Sequence, residues 1–248
     1  MNAVYALAPL ALLIAMPGAA QTPSTAVQRA LADPSRPAAD RARDEGRHAA
    51  RLLTFAGVKP GMKVADFIMG GGYWTRLLAG VVGPKGKVYA YQPAEFIAFR
   101  AAYGTEQDAA VAGRANIVAK RESVRAIAFP EKLDAIMTVQ NWHDLHLNFA
   151  PEGTAAAAAK RLYDALKPGG VLLVIDHAAV AGAPRTVADT LHRIDPARAR
   201  TEIEAAGFQF DGESALLRQP GDPRTQLVFD PAIRGKTDQF VYRFRKPR

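Results

Sequence analysis

The stretch that decides the fold is Val64-Ala65-Asp66-Phe67-Ile68-Met69-Gly70-Gly71-Gly72-Tyr73-Trp74-Thr75. A short apolar run ends in an aspartate, passes through three successive glycines and enters an apolar-periodic segment that stops at Gly83-Pro84. This order predicts a strand, a glycine turn and a helix. Because glycine has no Cβ, a ligand can approach the backbone closely there, and the amides at the start of the helix face that ligand. The pattern is typical of a cradle for a nucleotide-type cofactor.

Strand and helix patterns alternate along the rest of the chain, which predicts a parallel sheet with right-handed crossovers. After the first strand, further strands are predicted at Lys87–Gln92, Asn116–Ala119, Leu133–Val139, Val171–Asp176, Phe208–Ser214 and Gln239–Arg245. Helices are predicted from Asp40 to about Phe55, at Ala94–Tyr103, at Thr154–Leu166, and from the cap Asp195-Pro196 to Gly207. Residues 217–238 are long for a hairpin loop, so we expect them to pack over the mouth of the site.

The glycine stretch and Lys167-Pro168-Gly169-Gly170 before Val171–Asp176 resemble the class I S-adenosylmethionine-dependent methyltransferases. Within that superfamily the chain is most similar to a group of exported predicted methyltransferases, from roughly Asp40 to the C-terminus. The family pattern has an acid followed by three alternate glycine positions. Asp66 matches the acid, Gly70 and Gly72 match two glycines, and Ile68 replaces the first. The resemblance implies an α/β, Rossmann-like seven-stranded methyltransferase sheet with helices on both faces, and S-adenosylmethionine as the cofactor.

The N-terminus predicts export. Residues 4–16 are almost wholly apolar and precede Pro17-Gly18-Ala19-Ala20, which indicates a signal peptide over residues 1–20 and a periplasmic or secreted mature protein. An apolar run this short does not span a membrane, so no span is expected in the mature chain. Residues 21–40 are rich in Pro, Ala and Ser and predict an irregular arm, and residues 41–248 form the methyltransferase-like domain.

Composition excludes several chemistries. The chain has no cysteine, which rules out disulfides and thiol nucleophiles. Its net charge is +8, but acids are interspersed with the basic residues and no aromatic-interleaved basic stripe is visible, so we expect no nucleic-acid partner. Arg43, Arg47 and Arg51 recur four residues apart and share one face of the predicted helix. Such a row is usually solvated, or paired with Asp44 and its neighbours, and the alternative is that it grips an anionic group of a ligand.

The resemblance implies roles for residues at the ends of the first strands. Asp66 is expected to hold the methionine ammonium of the cofactor, and a turn cap is the alternative that the residues leave open. Gln92 stands where related proteins carry an acid on the ribose hydroxyls, and an amide there lacks charge assistance. Glu122 or Ser123 matches the position near the adenine. The cofactor-binding residues predicted in this way are Asp66, Gly70, Gly71, Gly72, Gln92, Glu122 and Asn141.

The segment Gln140-Asn141-Trp142-His143-Asp144-Leu145-His146 follows the fourth strand, where the superfamily places groups that face the transferred methyl. Imidazole suits proton removal near neutral pH, so His143 is the predicted general base and Asp144 its orienting partner. Trp142, His177 and His192 are predicted to line the substrate pocket, although His192 is also placed to cap the next helix. A metal held by His143, His146 and His177 is the weaker interpretation, because their spacing does not aim the rings at one point. We therefore expect no metal.

These observations predict methyl transfer from S-adenosylmethionine to a small molecule or an envelope component. Two alternatives stay open. One is a binding protein of the same fold that has lost catalysis, which Ile68 and Gln92 favour. The other is a nicotinamide-dependent oxidoreductase, because Gly70, Gly72 and Thr75 partly match a dinucleotide-binding fingerprint. The oligomeric state is not predicted by the sequence.

Overall fold

The computed structural model of the protein describes residues 22–248, and the predicted signal peptide lies outside these residues. The described chain forms one seven-stranded sheet with the order β3-β2-β1-β4-β5-β7-β6. Five strands are parallel, and β7 runs antiparallel to both β5 and β6. The predicted α/β, Rossmann-like methyltransferase sheet is confirmed.

The strands are β1 Lys63–Phe67, β2 Lys87–Tyr91, β3 Ile117–Lys120, β4 Leu133–Val139, β5 Leu166–His177, β6 Gln209–Glu213 and β7 Gln239–Arg245. The helices are α1 Thr25–Ala32, α2 Ala38–Arg41, α3 Ala49–Ala56, α4 Tyr73–Val82, α5 Ala94–Phe99, α6 Ala102–Val111, α7 Thr154–Ala165, α8 Val187–Leu191 and α9 Pro196–Ala205, with a short 3-10 helix at His143–His146. None of these helices is long and apolar enough to cross a membrane.

The central strands are buried on both faces, which is why they read as continuous apolar runs. One face packs against α1, α3 and α4 through a core that includes Leu53, Leu77 and Leu173. The other packs against α7 and α9 through a core that includes Leu162 and Ile203. Two covered faces leave the carboxyl ends of the parallel strands as the open edge, where sheets of this type bind ligands.

The prediction of an irregular arm over residues 21–40 is wrong. Ser24 accepts a hydrogen bond from the Val27 amide at 3.3 Å and caps α1, whose Ala26, Val27 and Ala30 are buried. Helix α1 lies very close to α4, because a Cβ added at Gly80 would lie 2.8 Å from the Cβ of Ala30. This segment therefore belongs to the domain.

Two predicted helices are interrupted. The helix expected from Asp40 to Phe55 consists of α2, a series of turns and α3, because His48 takes the left-handed conformation with φ of 48°. The helix expected at Ala94–Tyr103 divides into α5 and α6 at Arg100, which is extended. In each case the sequence has a helical pattern across the whole stretch, but the backbone leaves the helical conformation at one residue.

Residues 217–238 are held against the sheet by a buried ion pair. Arg193 is fully buried, and its guanidinium donates to both carboxylate oxygens of Asp222 at 2.8 and 3.0 Å. The same guanidinium donates to the carbonyl of Gln226 at 2.8 Å and to that of Ala178 at 2.9 Å. These bonds fix the segment over the ends of β4 and β5, as predicted for this loop.

Candidate active site

Two glycines of the turn after β1 are needed for different reasons. Gly70 has φ of +53°, and a Cβ built on it would meet no atom within 4 Å. Gly72 has φ of +77°, and its added Cβ would lie 2.7 Å from the Cβ of Ala110. Gly70 therefore leaves open space beside the backbone, whereas Gly72 lets the turn pack against α6. Gly71 lies between them, with only Glu106 within 4 Å of an added Cβ.

Strained backbone marks the ends of β1 and β4. Ile68, which stands at the first glycine position of the family pattern, has φ of 61°, and Gln140 has φ of 62°. Such values are costly for residues other than glycine and tend to occur at functional sites. Asn141 joins the two loops, because its amide donates to the carbonyls of Ile68 at 2.7 Å and Val139 at 2.6 Å.

Asp66 and Gln92 are both buried at the ends of β1 and β2. The Thr75 hydroxyl donates to Asp66 at 2.6 Å. Burial raises the pKa of Asp66 to about 6, because its effect is larger than that of the hydrogen bonds from Thr75, which lower the pKa. Gln92 accepts a hydrogen bond from the Gly70 amide at 3.0 Å, while its own Nε2 is buried without a partner among the described residues. The side chain of Gln92 is fully buried, so this donor is left unsatisfied directly behind the glycine turn.

Glu122 lies just after β3, as the sequence predicts. Its side chain pairs with Lys120, and its carbonyl accepts from the Tyr91 hydroxyl at 3.0 Å. Neither of the two large cavities described below is lined by Glu122. Its role near an adenine stays a prediction.

Two adjoining cavities open at the ends of β4 and β5, roofed by residues of the 217–238 segment. The first, the basic cavity, has a volume of about 570 Å³, and its polar wall consists of Arg43, Arg47, Gln140, His177, Arg234, Thr237 and Gln239. The second, the histidine cavity, has a volume of about 380 Å³ and is lined by Phe96, Phe99, Tyr103, Asn141, His143, Asp144, Phe149, His177, Asp189 and His192, among others. Gln140, His177, Val228 and Phe229 line both.

His143 is held between two carboxylates. Its Nδ1 lies 2.8 Å from Asp176 and its Nε2 lies 3.2 Å from Asp144. Burial lowers the pKa of the ring, but the charges of Asp176 and Asp144 outweigh burial and raise the pKa of His143 to about 10. The ring is therefore an imidazolium at neutral pH and holds no free lone pair. This charge state argues against the predicted role of His143 as general base, and the partner on Nδ1 is Asp176 rather than Asp144.

His177 has the opposite charge state. Its Nδ1 lies 2.8 Å from the Thr237 hydroxyl, and its Nε2 makes no hydrogen bond to any residue from 22 to 248. Burial lowers the pKa of His177 to about 4, with a further contribution from the charged His143. His177 is thus a neutral imidazole at the junction of the two cavities, 6.2 Å from the His143 ring between centroids.

His192 also lines the histidine cavity, with its ring 5.5 Å from that of His143 and 4.8 Å from that of Phe229. Burial lowers its pKa, and its Nδ1 is buried without a described partner. It does not cap α9, since Asp195 accepts from the Ala197 amide at 2.9 Å. The structure thus places His192 where the pocket prediction put it.

The prediction that Trp142 lines the substrate pocket is wrong. Its side chain is fully buried in the core under α9, and its Nε1 donates to Glu202 at 3.3 Å. His146 points to the same carboxylate, at 3.0 Å, and so turns away from His143 and His177. Within residues 22–248 no group of three or more His, Asp or Glu is arranged to hold a metal ion.

Sequence reasoning missed Thr237, which fixes the His177 ring, and the side chains of Phe99, Phe149 and Phe229, which remain at least half exposed at the rim of the histidine cavity. The run Asp176-His177 did indicate polar chemistry at the end of β5, but not that Asp176 pairs with His143. No local pattern marks Thr237 or the phenylalanines.

No family model and no curated protein matches the chain. Solved structures do. A SAM-dependent methyltransferase from Aquifex aeolicus is 22% identical with a TM-score of 0.57, covering 88% of this chain and 96% of that one. The N-methyltransferase NodS from Bradyrhizobium japonicum WM9 is 14% identical with a TM-score of 0.55, covering 84% and 97%. A possible exported protein from Bordetella parapertussis is 18% identical with a TM-score of 0.52, covering 84% and 68%. The chain therefore has the class I methyltransferase fold.

Proposed function

We propose that the protein transfers a methyl group from S-adenosylmethionine, bound at the glycine turn, to a small-molecule acceptor in the cavities over β4 and β5. The observation that carries the proposal is that one edge of the sheet has both a place for a cofactor and a place for an acceptor. After β1 and β2 there is open space at Gly70 and an unpartnered Nε2 on Gln92. After β4 and β5 the neutral imidazole of His177 lies between the two cavities.

The residues at the glycine turn fit this cofactor. Gln92 accepts from the Gly70 amide, and its buried Nε2 has no partner among the described residues. We propose that a ribose hydroxyl accepts from this Nε2 when the ligand binds and the turn adjusts to admit it. Asp66, Gly71, Gly72 and Asn141 support the loops around that space. When bound, S-adenosylmethionine supplies a methyl group on a sulfonium, which leaves by in-line displacement. The protein then has to position the acceptor atom and, for a hydroxyl, to remove its proton.

We assign proton removal to His177 rather than to His143. A general base must be deprotonated at the working pH, and the lowered pKa of His177, at about 4, keeps its ring neutral. Thr237 fixes the orientation of the ring by its contact with Nδ1, which leaves Nε2 toward the cavities. The low pKa makes it a weak base, which suits an acceptor whose own hydroxyl or amine is acidified on binding.

In this assignment His143 and Asp144 form a charged wall of the histidine cavity. The imidazolium, neutralised by Asp176 behind it, holds the Asp144 carboxylate in place at the cavity surface. That carboxylate can accept a hydrogen bond from the acceptor molecule. His143 therefore acts as a positioning residue, and Asp144 as a binding residue.

Calorimetry with S-adenosylmethionine, S-adenosylhomocysteine and NAD tests the proposal. We expect the first two to bind and NAD not to bind. Gly70→Val should abolish binding, because its side chain fills the open space. Gly113→Val is the matched control, since Gly113 has φ of +71° and equally open surroundings but lies before β3. Binding of NAD alone would favour an oxidoreductase, and equal binding by both variants would mean that the cofactor lies elsewhere.

We further infer that the protein acts outside the cytoplasm. The predicted signal peptide supports this inference, as does the fold it shares with the possible exported protein from Bordetella parapertussis. Mass spectrometry of the protein from its native host should find a mature N-terminus at Gln21. A chain that keeps residues 1–20 in the cytoplasm would contradict export.

A further inference from the structure

The wall of the basic cavity has an unbalanced charge. Three arginines, Arg43, Arg47 and Arg234, line it, and no aspartate or glutamate does. Arg43 and Arg234 are exposed, but Arg47 is half-buried. Burying a cationic group without a counter-charge is unfavourable, so an arginine left unpaired beside a cavity needs an explanation.

The acids nearest to this cluster already have other partners. Asp44 accepts from Arg36 at 2.7 and 2.8 Å and from the Tyr73 hydroxyl at 2.7 Å. Asp40 pairs with Arg43 and Arg76, both at 2.6 Å. Of the arginine row, Arg43 is thus paired with Asp40, a neighbour of Asp44, while Arg47 has no acidic partner among the described residues.

Arg47 is the most exceptional of the three. Its side chain is half-buried, and it forms no hydrogen bond or ion pair with any residue from 22 to 248; residues 1–21 contain no aspartate or glutamate. Its guanidinium carbon lies 4.6 Å from the centroid of the Tyr73 ring, which starts α4 directly after the glycine turn. Stacking on an aromatic face orients a guanidinium and leaves its five donors free at the edge.

Arg234 supplies a second free guanidinium from the opposite element, the 217–238 segment. Its side chain forms no ion pair among the described residues, and it shares the cavity with the amides of Gln140 and Gln239. The Gln140 amide donates to the Gln239 side chain at 3.1 Å, so the two guanidinium groups are the main uncommitted donors around this space of about 570 Å³. They form a surface complementary to a carboxylate or a phosphate.

We propose that the basic cavity is an anion-binding subsite in which Arg47, with Arg234, holds a carboxylate or phosphate group of a bound ligand. The anion has two possible sources. It is the carboxylate at the amino-acid end of the cofactor, or it is an acidic group of the methyl acceptor. Both sources rest on the proposed function, because each assumes that the cavity belongs to the methyl-transfer site.

The experiment has two arms. In the first, calorimetry compares S-adenosylhomocysteine with its methyl ester, in which the negative charge of the carboxylate is removed and one methyl group is added. In the second, inorganic phosphate is titrated into protein saturated with S-adenosylhomocysteine and followed by NMR. Each arm uses the wild-type protein, Arg47→Gln, Arg234→Gln and the control Arg51→Gln, which removes an exposed arginine on α3 that lines neither cavity.

If the subsite holds the cofactor, the wild-type protein should prefer the acid to the ester by about 10-fold or more, and Arg47→Gln should remove the preference. If it holds the acceptor, acid and ester should bind equally, and Arg47→Gln should weaken phosphate binding by about 10-fold relative to Arg51→Gln. Arg234→Gln should act in the same direction. Because Arg234 is exposed, this substitution should not disturb folding, so a loss of binding would reflect the lost charge.

The proposal is overturned if Arg47→Gln and Arg234→Gln match Arg51→Gln in both arms. A wild-type protein that does not bind S-adenosylhomocysteine would instead contradict the proposed function. In that event the phosphate titration on the free protein still decides whether the subsite exists.

Discussion

The two cavities share four residues but handle charge in opposite ways. The basic cavity has three arginines and no acid on its wall, whereas the histidine cavity has three histidines and two aspartates and no arginine or lysine. In the histidine cavity the one cation is paired, because the His143 imidazolium lies between Asp144 and Asp176. In the basic cavity Arg43 is paired with Asp40, whereas Arg47 and Arg234 form no ion pair with any residue from 22 to 248. A cation that is already paired can hold a neighbouring group in place, while an unpaired cation attracts a ligand group of opposite sign.

His143 and His177 show a similar difference in charge between two single residues. Both rings are largely buried at the ends of neighbouring strands, yet one has its pKa raised to about 10 and the other has its pKa lowered to about 4. Burial lowers the pKa of both. Only His143 has a carboxylate at each ring nitrogen, whereas Nδ1 of His177 contacts the hydroxyl of Thr237. The neighbours, and not the depth of burial, decide which ring carries charge.

The largest expected effect separates the paired cation of the histidine cavity, His143, from the unpaired cation of the basic cavity, Arg47. Asp176→Asn removes the carboxylate behind a buried imidazolium, and breaking a buried pair in this way should lower the free energy of unfolding by about 3–5 kcal/mol. Arg47→Gln breaks no ion pair and should cost about 1 kcal/mol or less, from the lost contact with Tyr73. Urea unfolding at pH 7 measures both. Similar losses in the two variants would contradict the contrast.

The next prediction concerns the pH dependence of stability. The folded pKa of His143 lies above its unfolded value of 6.5, so its contribution is complete below pH 6.5 and is lost as the pH rises toward about 10. The folded pKa of His177 lies below 6.5, so its contribution is present above pH 6.5 and is lost as the pH falls toward about 4. The free energy of unfolding, measured from about pH 4 to about pH 10, should therefore decrease toward both ends of this range.

Variants assign each side of that profile to one ring. His143→Gln should flatten the alkaline side and reduce the fall on the acid side, because the charged His143 helps to lower the pKa of His177. His177→Gln should flatten the acid side and keep the alkaline fall. If the His143 variant altered only the acid side, the ring would be neutral in the folded protein and the charged wall would not exist.

The smallest effect tests how His177 is oriented. Thr237→Val keeps the shape of the side chain but removes the hydroxyl next to Nδ1, so stability should fall by about 1 kcal/mol. Nitrogen NMR of the imidazole should change from one tautomer to a mixture. Thr190→Val is a suitable control, because Thr190 is exposed and its hydroxyl bonds only the carbonyl of Thr186. An unchanged tautomer would mean that another group orients the ring.

Much of the fold could be predicted from the sequence, because the central strands are marked by apolar runs between turn residues. Leu133–Val139 and Gln239–Arg245 have the predicted bounds, and Asp195 caps α9 as expected. Local patterns failed where one residue changes the backbone, as His48 does, or where a Pro- and Ala-rich segment gains its helix by packing on α4.

The site was predictable in position more than in chemistry. The polar cluster after β4 could be found because it follows a buried strand. The charge of His143 could not, since its partner Asp176 is 33 residues away on the next strand and becomes a neighbour only in the folded sheet. Trp142 illustrates the same limit, because nothing local distinguishes a pocket-lining tryptophan from one that packs under α9.

The most direct test of the account is a crystal structure of the protein with S-adenosylhomocysteine. We predict that the ligand lies along the glycine turn, contacts Gly70 and the free Nε2 of Gln92, and directs its sulfur toward His177 while the histidine cavity stays open for the acceptor. S-adenosylhomocysteine bound inside the histidine cavity, or away from the glycine turn, would contradict the division of the site into a cofactor side and an acceptor side.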